Sequence, residues 1–216
     1  MYKRQPQEAV EDATYGVDPR ERANRIGQWI TVLRRLWSED VVDFEGDSLR
    51  FAGVSIEPKP GRMPEIWIAN DAKGSRERLE RIHTRIARYA DGWQIGLPDP
   101  AEVAWRADDI REKAAAMGRR NPDAFSFSAY HNVNIQDDRT AALEESKRFL
   151  DTYYTADFDP GYVEAWTAAG TARECAEHLR PYFEAGVSEV ALRITSWDQR
   201  GQLARLIGEL APLLEA

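Results

Sequence analysis

Two short stretches decide the fold: Glu65-Ile66-Trp67-Ile68-Ala69 and Gly92-Trp93-Gln94-Ile95-Gly96. The first is a short continuous apolar run, the pattern of a strand buried on both faces, and the second reads as the next strand. Between them lie a glycine-containing loop and a segment placing Leu79, Ile82, Ile86 and Tyr89 at helical spacing. A strand, a helix and a second strand in this order form a parallel pair, because the helix carries the chain back to the starting edge.

The same unit recurs downstream. Asp99-Pro100-Ala101-Glu102 reads as cap, proline at the first helical position and carboxylate, and opens a helix bearing Val103, Ala107, Ile110 and Met117 that stops at Gly118. Residues 125–135 alternate as a strand. A helix follows over 138–154, then a shorter one after Asp159-Pro160. Thr171-Ala172-Arg173-Glu174 is a capping box whose helix carries Leu179 and Phe183 and ends at Gly186. Residues 188–194 form the last strand, and a final helix presents Leu203, Leu206, Ile207 and Leu210. The four strands near 66–69, 93–96, 125–134 and 190–194 are expected to be parallel neighbours in that order. Upstream, Asp18-Pro19-Arg20-Glu21 reads as a helix start, with Ile26, Ile30, Leu33 and Trp37 on one stripe. Residues 41–60 read as a hairpin around Glu45-Gly46-Asp47, outside the parallel sheet. Periodicity leaves a barrel and a doubly wound sheet both open.

Composition narrows the function classes. With 43% hydrophobic and 31% charged residues, the 216-residue chain is of globular type. Its net charge of -8, without a basic stripe, argues against a nucleic-acid partner. No apolar run approaches the roughly 20 residues that span a bilayer. No secretory signal is seen, which makes the cytoplasm the default location. A single cysteine, Cys175, precludes an intrachain disulfide and reads as a core residue.

Three blocks resemble the luciferase-like monooxygenases. The first is Ile30-Thr31-Val32-Leu33-Arg34-Arg35-Leu36-Trp37, with Phe44-Glu45-Gly46 and Pro58-Lys59-Pro60 after it. The second joins Pro64-Glu65-Ile66-Trp67-Ile68-Ala69 to Arg85-Ile86-Ala87-Arg88-Tyr89-Ala90-Asp91-Gly92-Trp93. The third runs from Gly170-Thr171 through Glu184-Ala185-Gly186-Val187 to Leu192-Arg193. They occur in order from about Gly16 to the C-terminus. The resemblance implies an α/β fold: a partial TIM (β/α)₈ barrel, its C-terminal half, with about four parallel βα units and a hairpin insertion. Residues 16–216 form this domain and residues 1–15 an N-terminal segment. Met1-Tyr2-Lys3-Arg4-Gln5 resembles the in-frame translation of a sequencing-library transposon adapter and is set aside. The chain is accordingly expected to be an N-terminally truncated enzyme, inactive alone and prone to self-association through free sheet edges.

The resemblance also implies chemistry. The expected activity is flavin-dependent oxidoreduction, with FMN and monooxygenation first and a deazaflavin coenzyme with hydride transfer as the alternative. The partners are a small-molecule substrate and a flavin reductase. A non-catalytic interaction unit is the rival reading. In the resembled family the loop after the first parallel strand holds the cofactor phosphate; here Asn70, Gly74, Ser75 and Arg76 take that place. A helix N-terminus offers unpaired N–H groups and partial positive charge, which suits a phosphate. The sequence departs from the family's Gly-Gly-Ser, reading Ala69-Asn70-Asp71, and Asp71 would repel a phosphate unless turned away. Trp93 either lines the cofactor cavity or packs in the core.

Asn132 and Asn134 share one strand face and His131 takes the other, as a packing residue. Arg193 meets an anionic group or pairs with a carboxylate such as Asp91. His83, His131 and His178 are far apart in the sequence and lack metal-ligand spacing, so no metal site is assigned. Glu144 and Glu145, being consecutive, read as solvated. No residue is assigned as acid, base or nucleophile.

Overall fold

The computed structural model describes residues 14, 16, 18, 21–70, 74–96, 99–119 and 124–215. The chain divides into two compact units, residues 1–66 and 67–216.

In the first unit a helix, α1 (Arg22–Ser38), precedes a two-stranded antiparallel hairpin, β1 (Val42–Glu45) and β2 (Arg50–Val54). The helix starts later than the Asp18-Pro19 signal suggests: Glu21 holds the cap position, without a side-chain cap. Ile30 and Val32 are buried, whereas Ile26 and Leu33 of the expected stripe remain exposed. In the hairpin Phe44 stacks on Phe51 across the strands, their centroids 6.0 Å apart. At the turn a Cβ on Gly46 would lie 2.7 Å from Gln28 Oε1 and 2.8 Å from Phe44 Cε1, so these side chains would have to shift. The Lys59 ammonium donates to the carbonyls of Leu36 (2.9 Å) and Glu39 (2.7 Å). It thereby places positive charge at the negative end of α1.

The second unit is built on a parallel sheet. Its strands are β3 (Trp67–Ala69), β4 (Gly92–Ile95), β5 (Ser126–Ile135), β6 (Thr167–Gly170) and β7 (Glu189–Ile194). The pairs β3–β4, β4–β5 and β5–β7 are all parallel, in the expected order. The expected fold class, parallel βα units of a partial TIM barrel with a hairpin outside the sheet, is the one observed. The sequence reading missed β6. Its four residues, Thr-Ala-Ala-Gly, lack the β-branched or aromatic content that marks a strand. It pairs with Asn132–Ile135 while β4 pairs with Ser126–Ala129. Because β7 overlaps both stretches from the other side, β4 and β6 share one edge of β5.

The connecting helices are α2 (Arg76–Tyr89), α3 (Pro100–Ala116), α4 (Arg139–Tyr154), α5 (Pro160–Ala165) and α6 (Ala172–Glu184). The chain ends in α7 (Gln199–Arg205), a π-helical turn (Leu206–Leu210) and α8 (Ala211–Leu214). Several starts are read correctly from caps. Asp99 accepts from the Ala101 N–H at 2.9 Å, and Thr171 with Glu174 forms a complete capping box.

Alternation gives the sheet two unlike faces. Ile68, Trp93, Ile95, Phe127 and Ala129 pack against Leu79, Ile82 and Ile86 of α2 and Val103, Ala107 and Ile110 of α3. Val133 and Ile135 pack with Cys175 and Leu179 of α6. The opposite face carries Trp67, Gln94, Ser126, Ser128, Tyr130, Asn132, Asn134 and Arg193, in register across the strands. It is polar, rather than the layered aliphatic filling usual in a TIM-barrel interior. Trp67 lies across Gly92 on this face: a Cβ at Gly92 would meet Trp67 Cδ1 and the Ser126 carbonyl oxygen, each at 2.8 Å. Gly92→Ala is therefore expected to cost about 1–3 kcal/mol through overpacking. Gly61→Ala, with nothing within 4 Å of the new carbon, should change little; urea denaturation of both variants tests the contrast.

Candidate cofactor site

The loop after β3 leads into α2. Asn70 is fixed by its backbone: its N–H donates to the Gln94 carbonyl at 3.1 Å, and its carbonyl accepts from Trp93 Nε1 at 2.9 Å. Asp71, Ala72 and Lys73 lie outside the described residues. Ser75 caps α2, its hydroxyl accepting from the Arg78 N–H at 3.4 Å. The Glu77 carboxylate bonds to the Ser75 hydroxyl and to its own N–H, and these contacts hold it below the usual carboxylate range. A negative group is thus already stabilised at the first turn of this helix. The Arg76 side chain is 90% exposed and only loosely paired with Glu80, at 3.8 Å.

Gly74 and Arg76 also border a groove of about 560 Å³ between α2 and α3. Its farther lining includes Glu80, Asp108, Asp109 and Glu112, an acidic wall unsuited to a phosphate. Only the rim at Gly74 and Arg76 belongs to the loop. Trp93 faces the helix layer at 1% exposure, with its ring edge-on to Phe127. Through Asn70 it supports the loop from beneath. His83 is buried beside it, Nδ1 2.5 Å from Asp109 Oδ2. Burial pushes the imidazole pKa down against the opposing pull of that carboxylate. Asp109 also accepts from Lys113 at 2.7 Å; despite burial, these partners keep its carboxyl below the ordinary range.

Two expectations require correction. His131 and His178, distant in sequence, meet in space, with their Nε2 atoms 2.8 Å apart. The crossover through α4 and α5 brings α6 back onto β5, and period two turns His131 toward it. The described residues contain no group of three His, Cys, Asp or Glu placed to hold a metal ion. Glu145 is not a solvated partner of exposed Glu144. It accepts from Asn134 Nδ2 (3.0 Å), Gln136 Nε2 (2.6 Å), Ser196 Oγ (2.8 Å) and the Trp197 N–H (3.0 Å). Burial raises its pKa, but these four donors outweigh it and hold the carboxyl below the usual range. Cys175 is fully buried and its thiol is pushed up to about 12, chiefly by desolvation, which disfavours a nucleophilic role.

On the polar face, Arg193 Nε donates to Asn132 Oδ1 at 2.9 Å and Nη1 to the Tyr154 hydroxyl at 2.7 Å. The rings of Tyr130, Tyr153, Tyr154 and Trp166 surround its guanidinium, with centroids 5.0–5.4 Å away. Asp91 pairs instead with Arg119, at 3.2 Å. The rings and Thr167 escaped sequence reading because three separate segments supply them. The period-two position of Asn132, in register with Arg193, is the one local signal for the cluster.

A parallel sheet with a capped helix start at a strand's C-terminal end and a buried polar face defines an α/β domain. The chain belongs to the luciferase-like monooxygenase family, whose model matches residues 7–189. An FMNH(2)-dependent dimethylsulfone monooxygenase of Pseudomonas fluorescens (strain Pf0-1) is 34% identical over 162 residues, covering 74% of this chain and 39% of that protein. An F420-dependent glucose-6-phosphate dehydrogenase of Nocardia farcinica (strain IFM 10152) is 27% identical over 221 residues, covering 91% of this chain and 62% of that protein. The chain thus spans 39–62% of the length of these two relatives. Among solved structures, an F420-dependent secondary alcohol dehydrogenase in complex with an F420-acetone adduct superposes with a TM-score of 0.79 at 15% identity, covering 94% of this chain and 66% of that one. Among the described residues no helix is long and apolar enough to cross a membrane.

The histidine pair sets an acid response. Desolvation, then the neighbouring His178, pushes His131 down to about 3, against about 6.5 when unfolded. Below pH 6.5 the unfolded chain binds the proton and the folded one resists it. Stability from this group is full above the unfolded value and is lost as pH falls toward 3. His131→Phe should flatten the decline between pH 7 and pH 4 in pH-dependent urea denaturation; an unchanged slope would refute this account.

Proposed function

We propose that the protein serves FMN-dependent monooxygenation of a small-molecule substrate, with reduced flavin delivered by a separate flavin reductase. The observation that carries the reading is the start of α2, where the chain leaves the C-terminal end of β3 and Ser75 caps the first turn by accepting from the Arg78 N–H. The cofactor's phosphate would take that position. Ser75 and the first N–H groups of α2 would bind it, Arg76 would supply charge, and Asn70 would orient the loop through Trp93 and Gln94. Reduced flavin, when bound, supplies the electrons for oxygen activation. The polar face of β4, β5 and β7 would then line the substrate side. The 34%-identical relative, an FMNH(2)-dependent monooxygenase, supports this choice.

A second reading, hydride transfer with a deazaflavin coenzyme, is favoured by the F420-dependent relative matching 91% of this chain and by the F420-dependent structural neighbour. Both readings use the same loop and place a soluble cytoplasmic redox enzyme in the hands of that cofactor.

Binding should depend on the phosphate. FMN is expected to bind about tenfold or more tightly than riboflavin, the worth of charge-assisted hydrogen bonds. Ser75→Ala and Gly74→Asp should narrow the gap, while Glu77→Gln should widen it by removing the resident carboxylate. Fluorescence titration of both flavins measures this. Equal affinity for FMN and riboflavin would remove the loop from the site, and tighter binding of a deazaflavin coenzyme than of FMN would select the second reading.

A further inference from the structure

Among the described residues Arg193 has no counter-ion: no carboxylate forms an ion pair with it, and its Nη2 is buried without a hydrogen-bond partner. A buried guanidinium N–H left unmet is costly. The four surrounding rings stabilise the positive charge through their faces but accept no conventional hydrogen bond. Burial pushes the Tyr130 hydroxyl pKa up, against the charge of Arg193 and a hydrogen bond with that side chain, while Nη2 itself remains without a hydrogen-bond partner.

A second orphan stands in the same row. Asn132 is in register with Thr167 on one side and Arg193 on the other, so all three side chains share a face. Thr167 is fully buried, and its Oγ1 has no partner. Asn132, between them, is fully committed: its Oδ1 accepts from Arg193 and its Nδ2 donates to the Trp166 carbonyl at 2.9 Å. A hydroxyl and a guanidinium N–H are therefore left over on one cross-strand row, walled by aromatic rings. Tyr153, one of these rings, is 65% exposed.

We infer that this row is an oxyanion site, and that the substrate carries a carboxylate, sulfonate or phosphate group bound by Arg193 Nη2 and Thr167 Oγ1. Two donors that lack acceptors, together with a cation that lacks an anion, are completed by one such group. Trp166 and the tyrosines would pack against the rest of the ligand. The assignment of the anion to the substrate rests on the cofactor reading proposed above; the anion site itself does not.

The test is thermal unfolding of the whole chain titrated with inorganic sulfate at constant ionic strength. The wild type should show a saturable rise in midpoint, as ligand binding to the folded state requires. Arg193→Met should abolish the saturable part. Thr167→Val keeps the side-chain shape, should not lower the starting midpoint because the hydroxyl is unpartnered, and should weaken sulfate about tenfold. A purely structural role for Thr167 predicts no change in sulfate affinity. No saturable rise in the wild type, or the same rise in all three proteins, overturns the site. Repeating the titration with saturating FMN and with riboflavin identifies the source. Additive effects support a substrate anion, whereas displacement of sulfate by FMN but not by riboflavin overturns that assignment in favour of the cofactor's phosphate. If FMN fails to bind, the cofactor reading falls alone, and the sulfate series still decides the anion site.

Discussion

The second unit depends on one strand. β5 hydrogen-bonds β4, β6 and β7, and only β3 reaches the sheet through another strand. Its ten residues are long enough to take β4 and β6 one after the other along a single edge. The two-residue period then divides everything packed on it. Phe127, Ala129, His131, Val133 and Ile135 build the contact with α2, α3 and α6, while Ser126, Ser128, Tyr130, Asn132 and Asn134 build the polar face, on which α4 packs. A one-residue slip in its register would exchange the two sets and put five polar side chains into the helix interface.

At the C-terminal end of β5 this division becomes a polar lock. Asn134 reaches the Ala142 carbonyl at 3.2 Å and Ser146 at 3.3 Å on α4, and the Thr195 carbonyl at 3.2 Å after β7. Glu145 collects the neighbouring donors, and the Thr195 hydroxyl meets Ser146 at 2.9 Å. Buried polar groups are tolerated when each is satisfied, and they then specify one arrangement more sharply than an apolar contact. The lock fixes the start of α4. The far end of α4 bears Tyr153 and Tyr154, which frame Arg193, so the geometry of the arginine cluster is inherited from a network two helical turns and more away.

Much of this was legible in the sequence, for reasons that local physics explains. The runs at 67–69 and 92–95 are apolar enough to mark strands, and Asp99 and Thr171 announce helices through chemistry confined to four consecutive residues. The resemblance of the three blocks supplied the family. Legibility failed where structure rests on distant partners. The Thr-Ala-Ala-Gly strand β6 exists because half of one β5 edge is free to pair. Glu145 carries no local mark separating it from Glu144; a helix turns one inward and the other out. The His131–His178 contact joins segments 47 residues apart. The loop residues Asn70, Gly74, Ser75 and Arg76 come together at one helix start, as contiguity dictates, whereas Trp93 joins them only as a support from the core side.

Charge is organised against the overall balance. The chain carries -8 in total, and the groove between α2 and α3 concentrates part of that charge on the outer, helix side of the sheet. The two proposed anion positions lie elsewhere: the start of α2 beyond β3, and the arginine row between β6 and β7. Along the path β3-β4-β5-β7 these sit at opposite edges, three strand spacings or roughly 14 Å apart across the sheet. That is far enough for two negatively charged groups to be held separately, with the charge of one screened from the other. The face between them carries Gln94, Ser128 and Tyr130, neutral side chains that add no charge of their own. Such a division suits two different molecules brought together over β4 and β5 better than one molecule gripped at both ends, since each anion keeps its own donors and the shared middle stays neutral.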